Sequence, residues 1–427
     1  MRSEGDLLAT TNRESGRAIA RPIPGASWQA RVNDAAEITA RLNLLWRRYG
    51  EARDTQKPSP NGQGSDAPWP MVTARAATLN LIAATRTQAD AARVRRTIAA
   101  LSDIYPSRAT VLIADPGQDT GAAPGMDVSV DLLEQPATRG RPAIVFECVT
   151  VDVSTENERQ LASIASPLLV PDLPDFLWWA ADTADGGSLF SELVGISDRL
   201  IVDSATSHHA ASAMRTLLGF ACAPGEHAAL SDFAWGRLTP WRRLTTQFFD
   251  DPAMLPILDL IAEATVTYAH SPTHSSGFTG ALLYAGWLGS RLNWRTPGEL
   301  LPVRGDPNVW RATLRAGAAG RQREVTLTLR PTAKLLSAST LLDVRLAADG
   351  GKAGLFTIER LDADEISTTS DSPELPNMVR TVFAPLPDEA DLLGEELRDF
   401  GRDPVFEAAL AFATDMAPEG FTGVRRR

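Results

Sequence analysis

The residues best able to do chemistry are sparse. Of the five histidines, His208, His209, His227, His270 and His274, only the last two stand close enough to ligate one metal ion from a single segment. Pro272 lies between them and disfavours the helix that would align both rings, and neither a cysteine nor a carboxylate cluster completes a ligand shell. They read as loop histidines. The two cysteines, Cys148 and Cys222, lack the paired spacing of a metal site. Each sits in an apolar stretch where a thiol behaves as a small hydrophobe, and a regulatory disulfide is the sharper alternative. No serine lies in a G-x-S-x-G elbow. Gly277, Gly280 and Gly286 miss the dinucleotide spacing and no Walker pattern occurs, so no phosphate cradle is encoded. Asp362 and Asp364 fall in a turn between strands and read as solvated. By motif the chain has no catalytic residue, no cofactor-binding residue and no metal ligand.

Two segments do stand out. PDLPDFLWW (171–179) sets Trp178 and Trp179 in a strand after a double-proline turn, and SDFAWGRLTPWR (231–242) gathers Trp235, Arg237, Trp241 and Arg242. Tryptophan and arginine are the residues enriched at interaction hot spots, so Arg237, Trp241, Arg242 and Trp178 are candidate contacts for a partner protein. The other reading is a core filled by large aromatics at a domain junction. Pro240 is expected to break any helix and leave Trp241 and Arg242 on a turn, with Trp235 inside.

Bulk composition narrows the classes. A chain of 427 residues exceeds what a single core usually supports, which implies two domains. A formal net charge of −11 repels phosphate backbones and anionic lipid, so neither nucleic acid nor membrane is an expected partner. All basic side chains but Lys57, Lys334 and Lys352 are arginines, whose planar fork suits interfaces and carboxylates. The N-terminal region carries Glu4, Asp6 and Glu14 without a signal-type apolar core, and the longest apolar run, 281–289, is half a membrane span. A cytoplasmic location is expected.

The elements follow from periodicity. Residues 1–70 read as a flexible arm to about residue 32, a helix with Ile38, Leu42, Leu45, Trp46 and Tyr49 on one face, and a linker over 57–70. Residues 71–225 alternate buried strands (76–84, 109–114, 143–153, 176–180, 199–203) with helices (from Thr87 to Tyr105, 156–165, 207–220), an α/β layer with a largely parallel sheet. A glycine-rich loop fills the interval before 143. Residues 226–427 read as an α+β domain. A strand at 265–270 and a helix at 280–292 precede an antiparallel meander of four strands (309–314, 325–329, 341–346, 356–359), which helices at 389–397 and 405–412 should cover.

The stretches ARAATLNLIAAT (74–85), YPSRATVLIADP (105–116), PLLVPDLPDFLWW (167–179), SDFAWGRLTPWR (231–242), ALLYAGWLGSRL (281–292) and GLFTIER (354–360) occur in the order seen in the glucose-6-phosphate dehydrogenase assembly protein OpcA family, which the chain resembles from about residue 70 onward. The resemblance implies a non-catalytic effector that binds glucose-6-phosphate dehydrogenase, promotes its active oligomer and supports the oxidative pentose phosphate pathway. Some members are thought to respond to thiol redox state, yet no cysteine follows Cys222 here. The alternative is a sugar-phosphate sensor or enzyme on the α/β layer, using clustered arginines for phosphate.

Overall fold

The structure, a computed structural model, describes residues 19–55, 74–115, 125–136, 143–154, 160–183, 187–223, 228–269, 276–296, 298–317, 322–332, 341–373 and 375–418. The linker over 57–70, His227, His270, His274 and the arginine tail lie outside the described residues. The chain divides into two compact units, Met1–Ala181 with Gly186–Ile201 and Glu389–Phe400, and Asp182–Asp185 with Val202–Asp388 and Gly401–Arg427.

The first unit holds strands β1 (Arg21–Val32), β2 (Ala74–Arg75), β3 (Leu79–Thr85), β4 (Ser107–Asp115), β5 (Met126–Gln135), β6 (Ile144–Ser154), β7 (Asp175–Trp179) and β8 (Arg199–Val202). Its helices are α1 (Ala35–Thr55), α2 (Gln88–Leu101), α3 (Gln160–Ala165), α4 (Ser188–Val194) and, from late in the chain, α10 (Glu389–Glu396). The strands run in the order β1-β5-β6-β4-β3-β7-β8, with β2 beside β6. Strands β6, β4, β3, β7 and β8 are parallel, a doubly wound arrangement with β3 as the first strand. All seven residues of β3 are buried, as a strand sandwiched between helical layers requires.

The arm is shorter than expected, because β1 occupies Arg21–Val32 and pairs antiparallel with β5. Pro22, Pro24 and Gly25 do not prevent this. They sit where the register slips between Pro22 and Ser27, Gly25 takes φ +76°, and β1 is an edge strand that can forgo ladder bonds. Part of the interval read as a glycine-rich loop is likewise strand β5, whose alternation of buried Val128 and Val130 with Asp127 and Ser129 is a half-buried pattern. Helix α2 begins at the expected cap, Thr87, and ends before Tyr105, whose amide turns back to the Leu101 carbonyl. Helix α10, expected over the antiparallel sheet, packs instead on α2. Glu389 accepts from the Thr97 hydroxyl at 2.8 Å and pairs with Arg93, and Gly394 leaves room for Leu101.

The second unit contains β9 (Ala229–Asp232), β10 (Ile261–Ala269), β11 (Leu301–Val303), β12 (Asp306–Ala316), β13 (Arg323–Thr332), β14 (Leu341–Ala348), β15 (Gly354–Arg360), β16 (Glu365–Ser372) and β17 (Leu375–Phe383). Its helices are α5 (Ala210–Ala221), α6 (Phe233–Gly236), α7 (Thr239–Gln247), α8 (Leu255–Leu258), α9 (Ser276–Arg291) and α11 (Pro404–Met416). Eight strands form one sheet in the order β11-β12-β13-β10-β14-β15-β16-β17. The four expected meander strands are present but not contiguous. Strand β10 lies between β13 and β14, parallel to the former (Ala264 opposite Leu327) and antiparallel to the latter (Ala264 opposite Leu346). Helix α9 covers β10, β13 and β14, and α11 lies on α9. That approach needs glycine, since a Cβ at Gly286 would run into the Ala409 carbonyl oxygen and one at Gly289 into the Phe412 ring.

Candidate functional site

The tryptophan–arginine segment begins where β9 ends at Asp232. This carboxylate is fully buried, accepts from the amides of Ser204 (3.0 Å) and Ala234 (2.9 Å) and from the Ser204 hydroxyl, and so caps α6. Burial, with Asp203 nearby, pushes its pKa up to about 7. One turn on, Arg237 donates to both oxygens of Asp203 at 2.8 Å. Burial opposes the charge of Arg237, but Asp203 and then Asp232 more than offset this and hold its pKa above the ordinary value.

Pro240 does not break the chain into a turn. It occupies the first turn of α7, where its missing N–H has no intrahelical partner to lose. Trp241 is therefore carried into the core at 2% exposure. The Arg360 guanidinium stands 6.0 Å from its ring centroid and donates to the carbonyls of Asp362, Ala363 and Ala384, while burial lowers the Arg360 pKa. Arg242 lies half-buried on the neighbouring face, stacked 3.5 Å over the Trp235 ring. Trp235 is buried as expected, donates from Nε1 to Asp403 at 2.9 Å and stacks on Phe406 at 5.4 Å. Asp403 also accepts from the amides of Val405 and Phe406, capping α11.

Arg237, Trp241 and Arg242 thus share one short stretch of the second unit. Trp178 belongs to the first, on β7, at 1% exposure with Arg93 6.0 Å from its ring centroid. The carboxylates Asp203, Asp232 and Asp403 complete the cluster, and sequence reasoning misses all three. Asp403 is findable, since an aspartate followed by proline and an apolar helical run is a helix-start signature. Asp203 and Asp232 pair across 28 residues or more of chain with Arg237 and Ser204, which no local pattern reports. Chemically the cluster is a network of hydrogen bonds and ring contacts holding α6, α7 and α11 together.

A doubly wound sheet with this strand order would open to phosphate at the carboxyl end of β3. There the turn to α2 is Thr85-Arg86-Thr87, without glycine. The Thr87 hydroxyl accepts from the Asp90 amide (3.1 Å) and donates to the Asp90 carboxylate (2.7 Å), which also pairs with Arg93. Side chains already fill this helix start, and Asp90 places negative charge where an anion would sit. Among the described residues no cluster of three or more His, Cys, Asp or Glu could hold a metal ion, and no helix is long and apolar enough to cross a membrane. Cys148 is buried as expected, and burial, followed by the nearby Asp131, pushes its thiol up to about 12. Cys222, expected to be apolar filling, is exposed at the C-cap of α5.

Residues 228–410 match the family described as the C-terminal domain of the glucose-6-phosphate dehydrogenase subunit, and residues 98–218 match the family described as its N-terminal domain. A protein described as OxPP cycle protein OpcA from Synechocystis sp. PCC 6803 is 25% identical over 281 residues, 64% of this chain and 56% of that one. Its namesake from Nostoc punctiforme is 25% identical over 315 residues, 73% of this chain and 65% of that one. The matched region therefore spans less than two thirds of either relative. Among solved structures, a 3-ketoreductase from Actinomadura kijaniata shares 13% identity at a TM-score of 0.45, covering 79% of this chain and 95% of that chain. The transcriptional regulator Gal80p of a Kluyveromyces yeast shares 9% identity at a TM-score of 0.42, covering 78% and 87%.

Proposed function

Because the chain belongs to the OpcA family of glucose-6-phosphate dehydrogenase assembly proteins, we propose that it acts as a non-catalytic partner that binds glucose-6-phosphate dehydrogenase in the cytoplasm, promotes its active oligomer and so supports the oxidative pentose phosphate pathway. The capped turn between β3 and α2 carries the non-catalytic half of this reading. An enzyme or sensor on the α/β layer needs free backbone amides or free arginines for phosphate. The helix start is filled by Thr87 and Asp90.

Within the tryptophan–arginine segment, Arg242 forms the contact with the dehydrogenase in this reading, while Arg237, held by Asp203, and Trp241, in the core, set its position; Trp178 is a core residue of the first unit. A binding protein of this kind raises activity only by as much as it prefers the active oligomer over the inactive one. The test uses the purified full chain and purified glucose-6-phosphate dehydrogenase. Co-elution of the two, with a lower half-saturation for glucose-6-phosphate and no reduction of NADP by the chain alone, is the expected result. Separate elution with unchanged kinetics overturns the reading.

A further inference from the structure

Helix α9 lines one face of the eight-stranded sheet of the second unit, and among the described residues no helix packs on the other, bare face. Strand register carries a single row straight across the bare face, from Leu301 and Arg311 on β11 and β12, through Thr265 on β10, to Thr369 and Val379 on β16 and β17. Leu301 is 66% exposed and Val379 73% exposed, so the row ends in an uncovered apolar side chain at each edge of the sheet. Between these ends the row is threonine and arginine.

Charge on this face is divided by halves. Exposed Arg311, Arg315 and Arg330 lie on β12 and β13, among the acids Glu324 and, on β10, Glu263, whereas exposed Glu359, Glu365 and Asp371 lie on β15 and β16. In the middle, Arg345 and Asp343 of β14 pair with each other at 3.2 Å. The edges differ in shape as well. A concavity of about 640 Å³, lined by Leu301, Arg304, Arg311 and Thr313, opens at the β11 edge, while Val379 and Phe383 (74% exposed) protrude at the β17 edge.

We propose that the bare face is a homodimer interface, in which two copies stack sheet to sheet about a two-fold axis running along the strands between β10 and β14. That single operation lays β11 and β12 of each copy over β17 and β16 of the other. It brings the cationic half of each face against the anionic half of the second copy, and the protruding Val379 and Phe383 against the concavity. Within one register row, Arg330 comes over the second copy's Glu359, and symmetry makes this pair twice. An unrelated partner would not require opposite halves of one face to match each other in both charge and shape. Seven strand spacings of about 4.8 Å and strands roughly 20 Å long give about 700 Å² per copy, near the roughly 800 Å² per partner of stable interfaces.

The test is the mass of the full chain by sedimentation equilibrium, for the wild type, Arg330→Glu, Glu359→Arg, the chain carrying both, and an equimolar mixture of the two single variants. The wild type is expected to be dimeric and each single reversal to weaken the dimer roughly 100-fold, because two-fold symmetry counts every substitution twice. The doubly reversed chain and the mixture are both expected to recover the dimer, which a merely misfolded variant could not do. Val379→Asp is expected to weaken it without touching either charge. A wild type that stays monomeric at micromolar concentration, or a dimer indifferent to all these changes, overturns the proposal. So does a monomer whose retention of glucose-6-phosphate dehydrogenase is lost on Arg330→Glu, since the face would then belong to the dehydrogenase.

Discussion

Arg242 lies across the indole of Trp235, its guanidinium carbon 3.5 Å from the ring centroid. Trp235 in turn donates to Asp403, so a side chain on α7 is linked through α6 to the cap of α11. The segment that reads in sequence as a display of binding residues is first a means of fastening three helices.

Trp241 and Arg242 should therefore separate on truncation. Trp241→Ala opens a core cavity and is expected to cost about 3–5 kcal/mol of unfolding free energy, whereas Arg242→Ala loses a partly exposed cation–π contact worth about 1 kcal/mol. Urea denaturation checks both. If Arg242→Ala also abolishes binding of glucose-6-phosphate dehydrogenase while the fold survives, its proposed contact role stands.

The Arg237–Asp203 pair is bidentate and both side chains are mostly buried, at 20% and 16% exposure. Arg237→Ala strands Asp203 beside Asp232 and is expected to cost about 3 kcal/mol, with much of the loss recovered in the double variant Arg237→Ala, Asp203→Ala. A double-mutant cycle by denaturation that gave no coupling would contradict the geometry.

Asp232 makes stability depend on pH. Its folded pKa near 7 lies above the ordinary 3.8, so the folded protein holds a proton that the unfolded chain releases between these values. The contribution is fully present below about pH 4 and is lost as pH rises to about 7, with a slope of up to about 1.4 kcal/mol per pH unit. Asp232→Asn keeps the acceptor for Ser204 and Ala234 and is expected to flatten that slope in denaturation curves taken from pH 4 to 8.

The two thiols should differ in reactivity. Titration with an aromatic disulfide at neutral pH is expected to label Cys222 rapidly and Cys148 only on unfolding, because the first is exposed and the second is buried with its thiol held protonated. Rapid labelling of two thiols in the native protein would show that β6 opens.

Gly286→Ala tests the crossing of α9 and α11. Its Cβ would meet the Ala409 carbonyl and Ala413, so the helices must separate, and a loss of about 1–3 kcal/mol is expected despite the better helix propensity of alanine. The same change at Gly280, where a Cβ meets nothing, should be stabilising or neutral.

The sequence by itself determined the kinds of element and much of their extent. The apolar runs that became β3, β4 and β6 are legible because a strand buried on both faces must be apolar throughout, and the start of α2 because Thr87 caps it locally. The order of six motif stretches was enough to suggest the family. These are properties of residues near one another in the chain, where spacing and side-chain type act directly. Pairing across long stretches was decided only by the tertiary structure. Whether Pro240 ends a helix or opens one depends on where the preceding turn stops, and Trp241 went from surface to core on that alone. Strand β1 exists because β5 offers it an edge, and β10 entered the middle of the meander because its alternating face matches β13 and β14 together. Helix α10 joined α2 because Arg93 and Thr97 receive Glu389 from nearly three hundred residues away, a contact whose free energy no local window contains.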